Sequence, residues 1–223
     1  MNQEIDRFLK LLQAMECSAI GIKDPELYQN FVIEIADSEE LEAVFKSMKS
    51  NMIMMLYNWV EATVRTTMNS YYDRFNDSQL SYTQVVEKIK KLWLKYSIKE
   101  WKQDKLKEVF DLINNVIDEQ FHLSLDFDKD FSLSGNADVR EMKNILSRHG
   151  ILFNDDSFNE YASALLSIKS MRNSLAHGNI SFEDNGRDIA ISDLKDYKEQ
   201  VYNCLKCFIS LVDTNIEKFG KDD

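Results

Sequence analysis

The chain has 223 residues, of which 44% are apolar, and it contains one proline and six glycines. So few helix-breaking residues argue against β-sandwiches, barrels and low-complexity chains, and they favour long helices. Lysine and arginine total 27 and aspartate and glutamate 38, so the net charge is −11. A surface of this sign argues against general binding to nucleic acid or to an anionic membrane, although a local binding groove stays open.

The cysteines and the N-terminus point to the cytoplasm. Cys17, Cys204 and Cys207 are too few to form a disulfide framework, which favours a reducing compartment. Cys204 and Cys207 form a C-x-x-C pair without a second pair or a nearby histidine, and we interpret them as core residues of one helical face rather than as metal ligands or a redox pair. We expect neither a signal peptide nor membrane insertion, because no basic-then-apolar start and no long apolar run is present.

The N-terminal half is predicted to be helical. Apolar residues recur at helical spacing over residues 2–20, and Gly21 ends that pattern. Residues 30–35 are rich in β-branched side chains and predict a short strand or an irregular bridge. A longer helical pattern over residues 38–75 predicts one long helix, or two helices joined near Ser50.

Residues 81–119 are predicted to form a pair of helices with a local positive charge. Between Ser81 and Phe110 there are eight lysines and four acidic residues. Four aromatic residues lie among these lysines: Tyr82, Trp93, Tyr96 and Trp101. Interleaved lysines and aromatic rings can follow a nucleic-acid backbone and stack on its bases. A charged helix face in solvent explains the same pattern, and we favour that interpretation.

The second half mixes irregular and helical patterns. Over residues 121–133 apolar and polar residues alternate, which allows a strand or an ordered insertion, and a helix is predicted from Gly135 to His149. Asn185–Gly186 lies between two β-prone runs and predicts a β-hairpin. Residues 193–218 predict a long terminal helix. No repeat or linker divides the chain, so we predict one domain over residues 1–223, with its core over about 38–218.

The helix predicted over residues 157–177 places an arginine on its apolar face. Arg172 lies near the middle of an arc of apolar residues: Phe158, Tyr161, Leu165, Ile168 and Leu175. A guanidinium in this position needs a partner or a shared cleft. It can bond a carboxylate such as Glu61 and tie two helices together, or it can be held at an interface to meet an anion, for which phosphate fits best.

His177 stands five residues after Arg172 and is followed by Gly178. In an unbroken helix this step separates the two side chains by about 140°, whereas Asn173 and His177 share a face. Two arrangements can bring Arg172 and His177 to one site. The helix can end at His177 with Gly178 as its cap, or a two-fold dimer can bring two helix ends to one shared pocket.

The sequence MRNSLAHGN at residues 171–179 resembles the R-x4-6-H signature of the HEPN superfamily, including the polar residue after the arginine. LYNWVEATVR at 56–65 resembles the preceding core helix of a prokaryotic HEPN branch associated with defence and toxins. HGNISFEDNGRDIAISDL at 177–194 resembles the segment of that branch before the last helix. The resemblance covers about residues 40–215, within which we interpret residues 121–150 as an insertion.

This resemblance implies an all-α, HEPN-like helical bundle with a small β-hairpin and a short irregular or β insertion. It also implies a metal-independent endoribonuclease that acts as a homodimer, with no cofactor and no metal. Arg172, Asn173 and His177 of each protomer would line one cleft. Glu61 is a weaker candidate, which pairs with Arg172 or shapes the pocket, or instead forms a surface ion pair with Arg65.

These residue types suit cleavage of RNA by its own 2′-hydroxyl, which gives a 2′,3′-cyclic phosphate and needs a base, an acid and a cation. Two histidines across a dimer can act as base and acid, or each can act mainly by hydrogen bonding. Arg172 would supply the positive charge, and Asn173 would orient His177 or the phosphate. His122 and His149 stand outside this group, and we interpret them as structural or surface residues.

The acidic net charge favours a small RNA footprint such as a tRNA anticodon loop. We expect a toxin or effector of a toxin–antitoxin or antiviral defence system, with an antitoxin or another defence-system protein as its partner. The alternative is a non-catalytic HEPN interaction module in a defence complex. A nucleotide-binding helper of a transferase is less favoured, because the sequence has no glycine-rich phosphate loop.

Overall fold

A computed structural model describes residues 1–19, 38–99, 105–118, 120–133, 135–215 and 219–220. Within these ranges the protein is all-α, with nine α-helices, one 3-10 helix and no sheet, which confirms the predicted fold class. The short strand or irregular bridge predicted at residues 30–35 lies outside the described residues. No helix in the described ranges is both long and apolar enough to cross a membrane.

The chain divides into two compact units. The first comprises three stretches: Met1–Ala62, Ala137–Val139 and Asn159–Leu205. The second comprises three others: Thr63–Asn136, Arg140–Phe158 and Lys206–Asp223. Two long helices, α2 (Ser38–Asp77) and α9 (Ile191–Asn215), contribute residues to both units. The organisation as one domain stays a prediction.

The first unit combines the N-terminal part of α2 with α1 (Asn2–Ala19), α7 (Ala162–Ala176) and most of α9. Helix α2 is continuous through Ser50, so the pattern over residues 38–75 is one helix and not two. An ion pair of 2.6 Å between Lys198 Nζ and Asp6 Oδ1 links α9 to α1. The core is made of buried aliphatic side chains: Ile5, Leu12, Met52, Ile53, Leu56, Leu165, Ile168, Leu194 and Val201.

The β-hairpin predicted after Gly178 is not formed. The chain instead makes a short helix, α8 (Phe182–Arg187). Ser181 caps this helix, because its Oγ accepts a hydrogen bond of 3.0 Å from the Asp184 backbone N–H. A serine cap followed by acidic residues favours a helix start, and here this local preference outweighs the turn preference of the Asn-Gly pair.

Contacts with α2 explain why Asn185 and Gly186 are helical. The Asn185 side-chain amide donates to Ser50 Oγ at 3.0 Å, and both side chains are buried. Gly186 lies so close to α2 that a β-carbon there would stand 1.9 Å from the Lys46 carbonyl oxygen. Glycine is therefore needed for close approach of two backbones and not for the positive φ of a hairpin turn.

The second unit contains α3 (Glu87–Lys99), α4 (Lys105–Ile117), α5 (Phe127–Asp130) and most of α6 (Val139–Arg148). The helical pair predicted over residues 81–119 is thus confirmed as α3 and α4. The core is an aromatic cluster of buried side chains: Tyr71, Tyr72, Phe75, Phe131, His149 and Phe219.

The segment before α5 is irregular and forms no strand. Its one described bridge pairs His122 with Ser81. Leu123 and Leu125 are buried, as their alternation predicts. The Leu125 backbone exchanges hydrogen bonds of 2.9 and 3.0 Å with the Asn76 side-chain amide. A side chain of α2 therefore satisfies the backbone groups that a neighbouring strand would otherwise pair.

Candidate functional site

Helix α7 carries the predicted arginine on its inner face. Leu165, Ile168 and Leu175 are buried, and Arg172 lies half-buried among them, as the sequence pattern predicts. The two earliest residues of that pattern, Phe158 and Tyr161, belong to the 3-10 helix Asp155–Tyr161, which leads into α7. Helical periodicity therefore places Arg172 correctly, although the α-helix starts later than its apolar pattern.

The Arg172 guanidinium is held by an aromatic ring and an amide. Its central carbon lies 4.3 Å from the centroid of the Tyr57 ring, which is within the range of a cation–π contact. Its Nη1 donates to Asn173 Oδ1 at 2.9 Å. Its Nε is buried and has no acceptor among the described residues. The structure thus brings Arg172 and Asn173 together and leaves the cation with unused donors.

Tyr57 lies beneath the guanidinium and is 1% exposed. Its Oη accepts a hydrogen bond of 3.2 Å from the Ala137 backbone N–H. Burial raises the pKa of the Tyr57 hydroxyl; the Ala137 N–H and Arg172 act against this shift, and the Glu61 carboxylate adds to it. Tyr57 is therefore a neutral platform for Arg172 at ordinary pH.

A second cation of α7 is already neutralised. Lys169, one turn before Arg172, forms an ion pair with Asp138, whose side chain is 10% exposed. By contrast, no carboxylate in the described part of the chain pairs with Arg172. A guanidinium without a protein counter-ion is suited to an external anion such as phosphate.

Among the described residues, Glu61 forms neither of the two ion pairs considered for it, with Arg172 or with Arg65. It is half-buried and has no described ion-pair partner, and the Arg65 guanidinium instead lies 5.5 Å from the Phe127 ring centroid. Glu61 acts electrostatically on the Tyr57 hydroxyl, which stands four residues earlier on the same helix face. The role of Glu61 as a supporting site residue stays a prediction.

His177 ends α7 at an exposed position. It is the C-cap residue, and Gly178 after it has a φ of +69°. The Gly178 N–H donates to the Leu175 carbonyl at 3.1 Å and the Asn179 N–H to the Ser174 carbonyl at 2.9 Å. These two bonds form a Schellman motif, for which glycine is the favoured residue. The helix therefore ends at His177 with Gly178 as its cap, as one of the two arrangements considered from the sequence supposes, but this ending alone brings no described contact between the His177 ring and Arg172.

The His177 ring is free of the arginine site within one protomer. No hydrogen bond or ion pair of this ring occurs in the portion of the chain that the structure describes, and only the His177 backbone N–H contacts Asn173, at its carbonyl. Sequence reasoning missed Tyr57, Asp138 and Lys169. The only sequence signal for Tyr57 is its i, i+4 spacing to Glu61, which a core aromatic residue would show equally well.

The other two histidines belong to the second unit. His149 is 3% exposed; its Nδ1 lies 2.7 Å from the Ile145 carbonyl and its Nε2 lies 3.0 Å from Tyr72 Oη. A carbonyl only accepts, so Nδ1 carries the proton and Nε2 accepts from the tyrosine. Burial lowers the pKa of His149 to about 4, so it is neutral and structural. His122 is exposed.

Of the aromatic residues that lie among the lysines, Tyr82 and Trp93 have described side chains, and both pack against other rings. Trp93 is buried, and its ring contacts those of Tyr82 and Phe121 at centroid distances of 5.9 and 6.2 Å. Lys90 Nζ lies 5.0 Å from the Tyr82 ring centroid. These contacts favour the charged helix face over a base-stacking surface. The side chains of Tyr96 and Trp101 lie outside the described residues.

The cysteines and acidic residues form no metal site within the described ranges, where no group of three or more His, Cys, Asp or Glu side chains is arranged to hold an ion. Within the described residues, Cys204 and Cys207 form no disulfide bond. Cys204 is buried, as expected of a core residue, and Cys207 is half-buried with its Sγ 3.8 Å from the Ser157 carbonyl.

Comparison with known proteins identifies the family of this chain. A family model described as HEPN_MAE_28990-like HEPN matches residues 2–219, which is nearly the whole chain. Searches of curated proteins and of solved structures found no match. The matched range includes α7 with Arg172, Asn173 and His177, and also the residues 121–150. The chain therefore belongs to the MAE_28990-like HEPN family, within the HEPN superfamily.

Proposed function

We propose that this HEPN protein is an endoribonuclease that cleaves RNA through the 2′-hydroxyl of its own substrate, without a metal ion. The observation that carries the proposal is the state of Arg172. Its guanidinium is held on the Tyr57 ring and by Asn173, and it has no carboxylate partner among the described residues. A preorganised cation with unused donors is the group that a developing phosphorane charge requires.

The reaction needs two proton transfers beside that cation. A base removes the proton of the 2′-hydroxyl as the 2′-oxygen bonds to phosphorus, and the bond from phosphorus to the 5′-oxygen breaks. An acid gives a proton to the leaving 5′-oxygen. The products are a 2′,3′-cyclic phosphate and a 5′-hydroxyl. His177 is exposed at a helix end, and an imidazole can accept or donate a proton, so it suits either step.

A homodimer would complete the site. Along an ideal helix, residues five apart differ by about 7.5 Å in height and about 140° in direction. Arg172 and His177 of one protomer therefore point to different sides of α7. Two copies related by a two-fold axis would place both histidines and both arginines along one RNA backbone, with one histidine as base and the other as acid.

The charge of the protein bears on its substrate and partners. A net charge of −11 opposes long phosphate tracks and favours a compact target such as a tRNA anticodon loop. We propose a toxin or effector role in a toxin–antitoxin or antiviral system of the cytoplasm, where an antitoxin or another defence protein restrains the nuclease. The acidic surface would suit a basic segment of that partner.

Cleavage of total tRNA and of a model single-stranded RNA in EDTA tests the function. We expect cyclic-phosphate products from the wild type and none from Arg172→Ala or His177→Ala. Matched controls are the exposed Arg74→Ala and His122→Ala, which should cleave like the wild type. Circular dichroism and sedimentation check that fold and dimer are kept.

Two results would reject the proposed site. If Arg172→Ala and His177→Ala cleave as fast as the wild type, the active site lies elsewhere. If the wild type cleaves neither RNA, alone or with the protein encoded beside it, the non-catalytic interaction module becomes the better description.

A further inference from the structure

We propose that Tyr57 is a positioning residue for Arg172. Its buried ring fixes the plane of the guanidinium and thereby the direction in which Arg172 meets a phosphate. This inference rests on the proposed ribonuclease function and adds a residue to it. Tyr57 acts through Arg172, because at 1% exposure it is itself closed to an RNA substrate.

The first half of the argument is the cation–π contact. The guanidinium carbon lies 4.3 Å from the Tyr57 ring centroid, and a contact shielded from water is stronger than an exposed one. A guanidinium is planar and holds its five N–H donors in that plane. Fixing the plane therefore fixes every donor direction. Within the described chain, Asn173 takes one donor, on Nη1, and the buried Nε has no acceptor.

The second half is the anchoring of the ring itself. The Tyr57 hydroxyl accepts the Ala137 N–H at 3.2 Å, and Ala137 is buried. The next residue, Asp138, forms an ion pair with Lys169, three residues before Arg172 on α7. The short segment Ala137–Val139 therefore bonds to α2 through Tyr57 and to α7 through Lys169. This double attachment fixes the ring relative to the helix that carries Arg172.

A purely structural arginine would be satisfied differently. The Glu61 carboxylate stands four residues after Tyr57 on α2, yet no ion pair between it and Arg172 is found among the described residues. A buried guanidinium nitrogen without an acceptor costs stability, and a nearby carboxylate would remove part of that cost. The cation–π contact with Tyr57 holds the cation in place without neutralising it. That combination is what preorganisation for an anionic ligand requires.

Kinetics of purified variants test the functional half. Tyr57→Leu removes the ring, and Tyr57→Phe keeps it but loses the hydroxyl oxygen. In steady-state assays with one RNA substrate and EDTA, we expect Tyr57→Leu to lower kcat about tenfold and to leave KM within about twofold of the wild type. We expect the kcat of Tyr57→Phe to stay within about threefold of the wild type. In an Arg172→Lys background, Tyr57→Leu should change kcat by less than about twofold, because a lysine ammonium has no planar group for the ring to orient.

The buried Tyr71 of the second unit provides a stability control, because its ring contacts His149 and Phe219 and lies outside the arginine site. We expect Tyr71→Leu to lower stability without the kcat loss of Tyr57→Leu. Wild-type kcat for Tyr57→Leu overturns the proposal. So does an equal loss of kcat in the Arg172→Lys background, since Tyr57 would then not act through the guanidinium.

Nuclear magnetic resonance tests the structural half without any cleavage. A proton above a tyrosine ring is shifted upfield, so the Arg172 Hε line should lie upfield in the wild type and in Tyr57→Phe and should move back in Tyr57→Leu. If the wild type cleaves no RNA, the proposed function fails, and this line alone decides whether Tyr57 holds Arg172. An unshifted Hε line in the wild type overturns the positioning role in either case.

Discussion

Replacement of Gly186 by alanine tests how closely α8 is docked onto α2. Alanine favours a helix over glycine by about 1 kcal/mol, so local propensity predicts a more stable protein. In the structure, however, the new β-carbon would stand 1.9 Å from the Lys46 carbonyl oxygen and 2.7 Å from its carbonyl carbon. Two backbones cannot approach in this way, so α8 must move away from α2 by about 1 Å.

That movement strains a set of buried hydrogen bonds. Ser50 Oγ donates to the Phe182 carbonyl at 2.6 Å and accepts from Asn185 at 3.0 Å, and Lys49 Nζ donates to the Ile189 carbonyl at 2.6 Å. Overpacking costs about 1–3 kcal/mol, and each buried bond lost adds about 1 kcal/mol. We expect the free energy of unfolding to fall by about 3 kcal/mol in total, whereas helix propensity alone predicts that it rises by about 1 kcal/mol.

Urea unfolding followed by circular dichroism measures this change, and hydrogen exchange of residues 182–187 shows whether α8 opens first. Gly178→Ala is the matched control. A β-carbon there meets no atom within 4 Å, and only its φ of +69° opposes alanine, for about 1 kcal/mol. An unfolding free energy for Gly186→Ala at or above that of the wild type would refute the docking argument.

Three further changes have defined outcomes. Burial lowers the pKa of His149 to about 4, so between pH 6.5 and 4 the unfolded chain binds a proton that the folded protein does not, and the free energy of unfolding falls by about 3 kcal/mol. Urea unfolding at several pH values across this range should show that the free energy of unfolding of His149→Gln depends less steeply on pH than that of the wild type. An equally steep pH dependence in the variant contradicts the assignment. Asp138→Asn leaves Lys169 half-buried without its carboxylate, and we expect a loss of about 2 kcal/mol in urea unfolding. Asn173→Ala removes the acceptor for Arg172 and should slow RNA cleavage about tenfold. Asn173→Asp should slow cleavage more, because a carboxylate neutralises the guanidinium. A fully active Asn173→Asp would show that cleavage does not need an unneutralised positive charge on Arg172.

Local patterns in the sequence predict much of this protein. The scarcity of proline and glycine and the helical spacing of apolar residues predict an all-α fold, and they locate α2, α7 and α9 within a few residues. The same spacing places Arg172 on the inner face of α7. Gly178 after His177 marks the end of that helix, because a positive φ at a C-terminus is the conformation that glycine tolerates best.

The sequence misleads where a local preference competes with a distant contact. Asn185–Gly186 is a strong hairpin signal, but the pair lies in a helix because Ser50 and the Lys46 backbone, far away in sequence, pack against it. Likewise, residues 121–133 alternate as a strand does, yet Asn76 pairs their backbone and no strand forms. In both cases the partner that decides the conformation lies far outside the window of any local pattern.

The sequence by itself determined the helical class and the residues of the R-x4-H motif, because both are properties of short stretches of chain. Only the tertiary structure decided how Arg172 is held. Tyr57 and Ala137 are 80 residues apart, and Asp138 and Lys169 are 31 apart. Such pairs leave no periodic signal, since their energy comes from burial and hydrogen bonding that exist only once α2 and α7 have packed together.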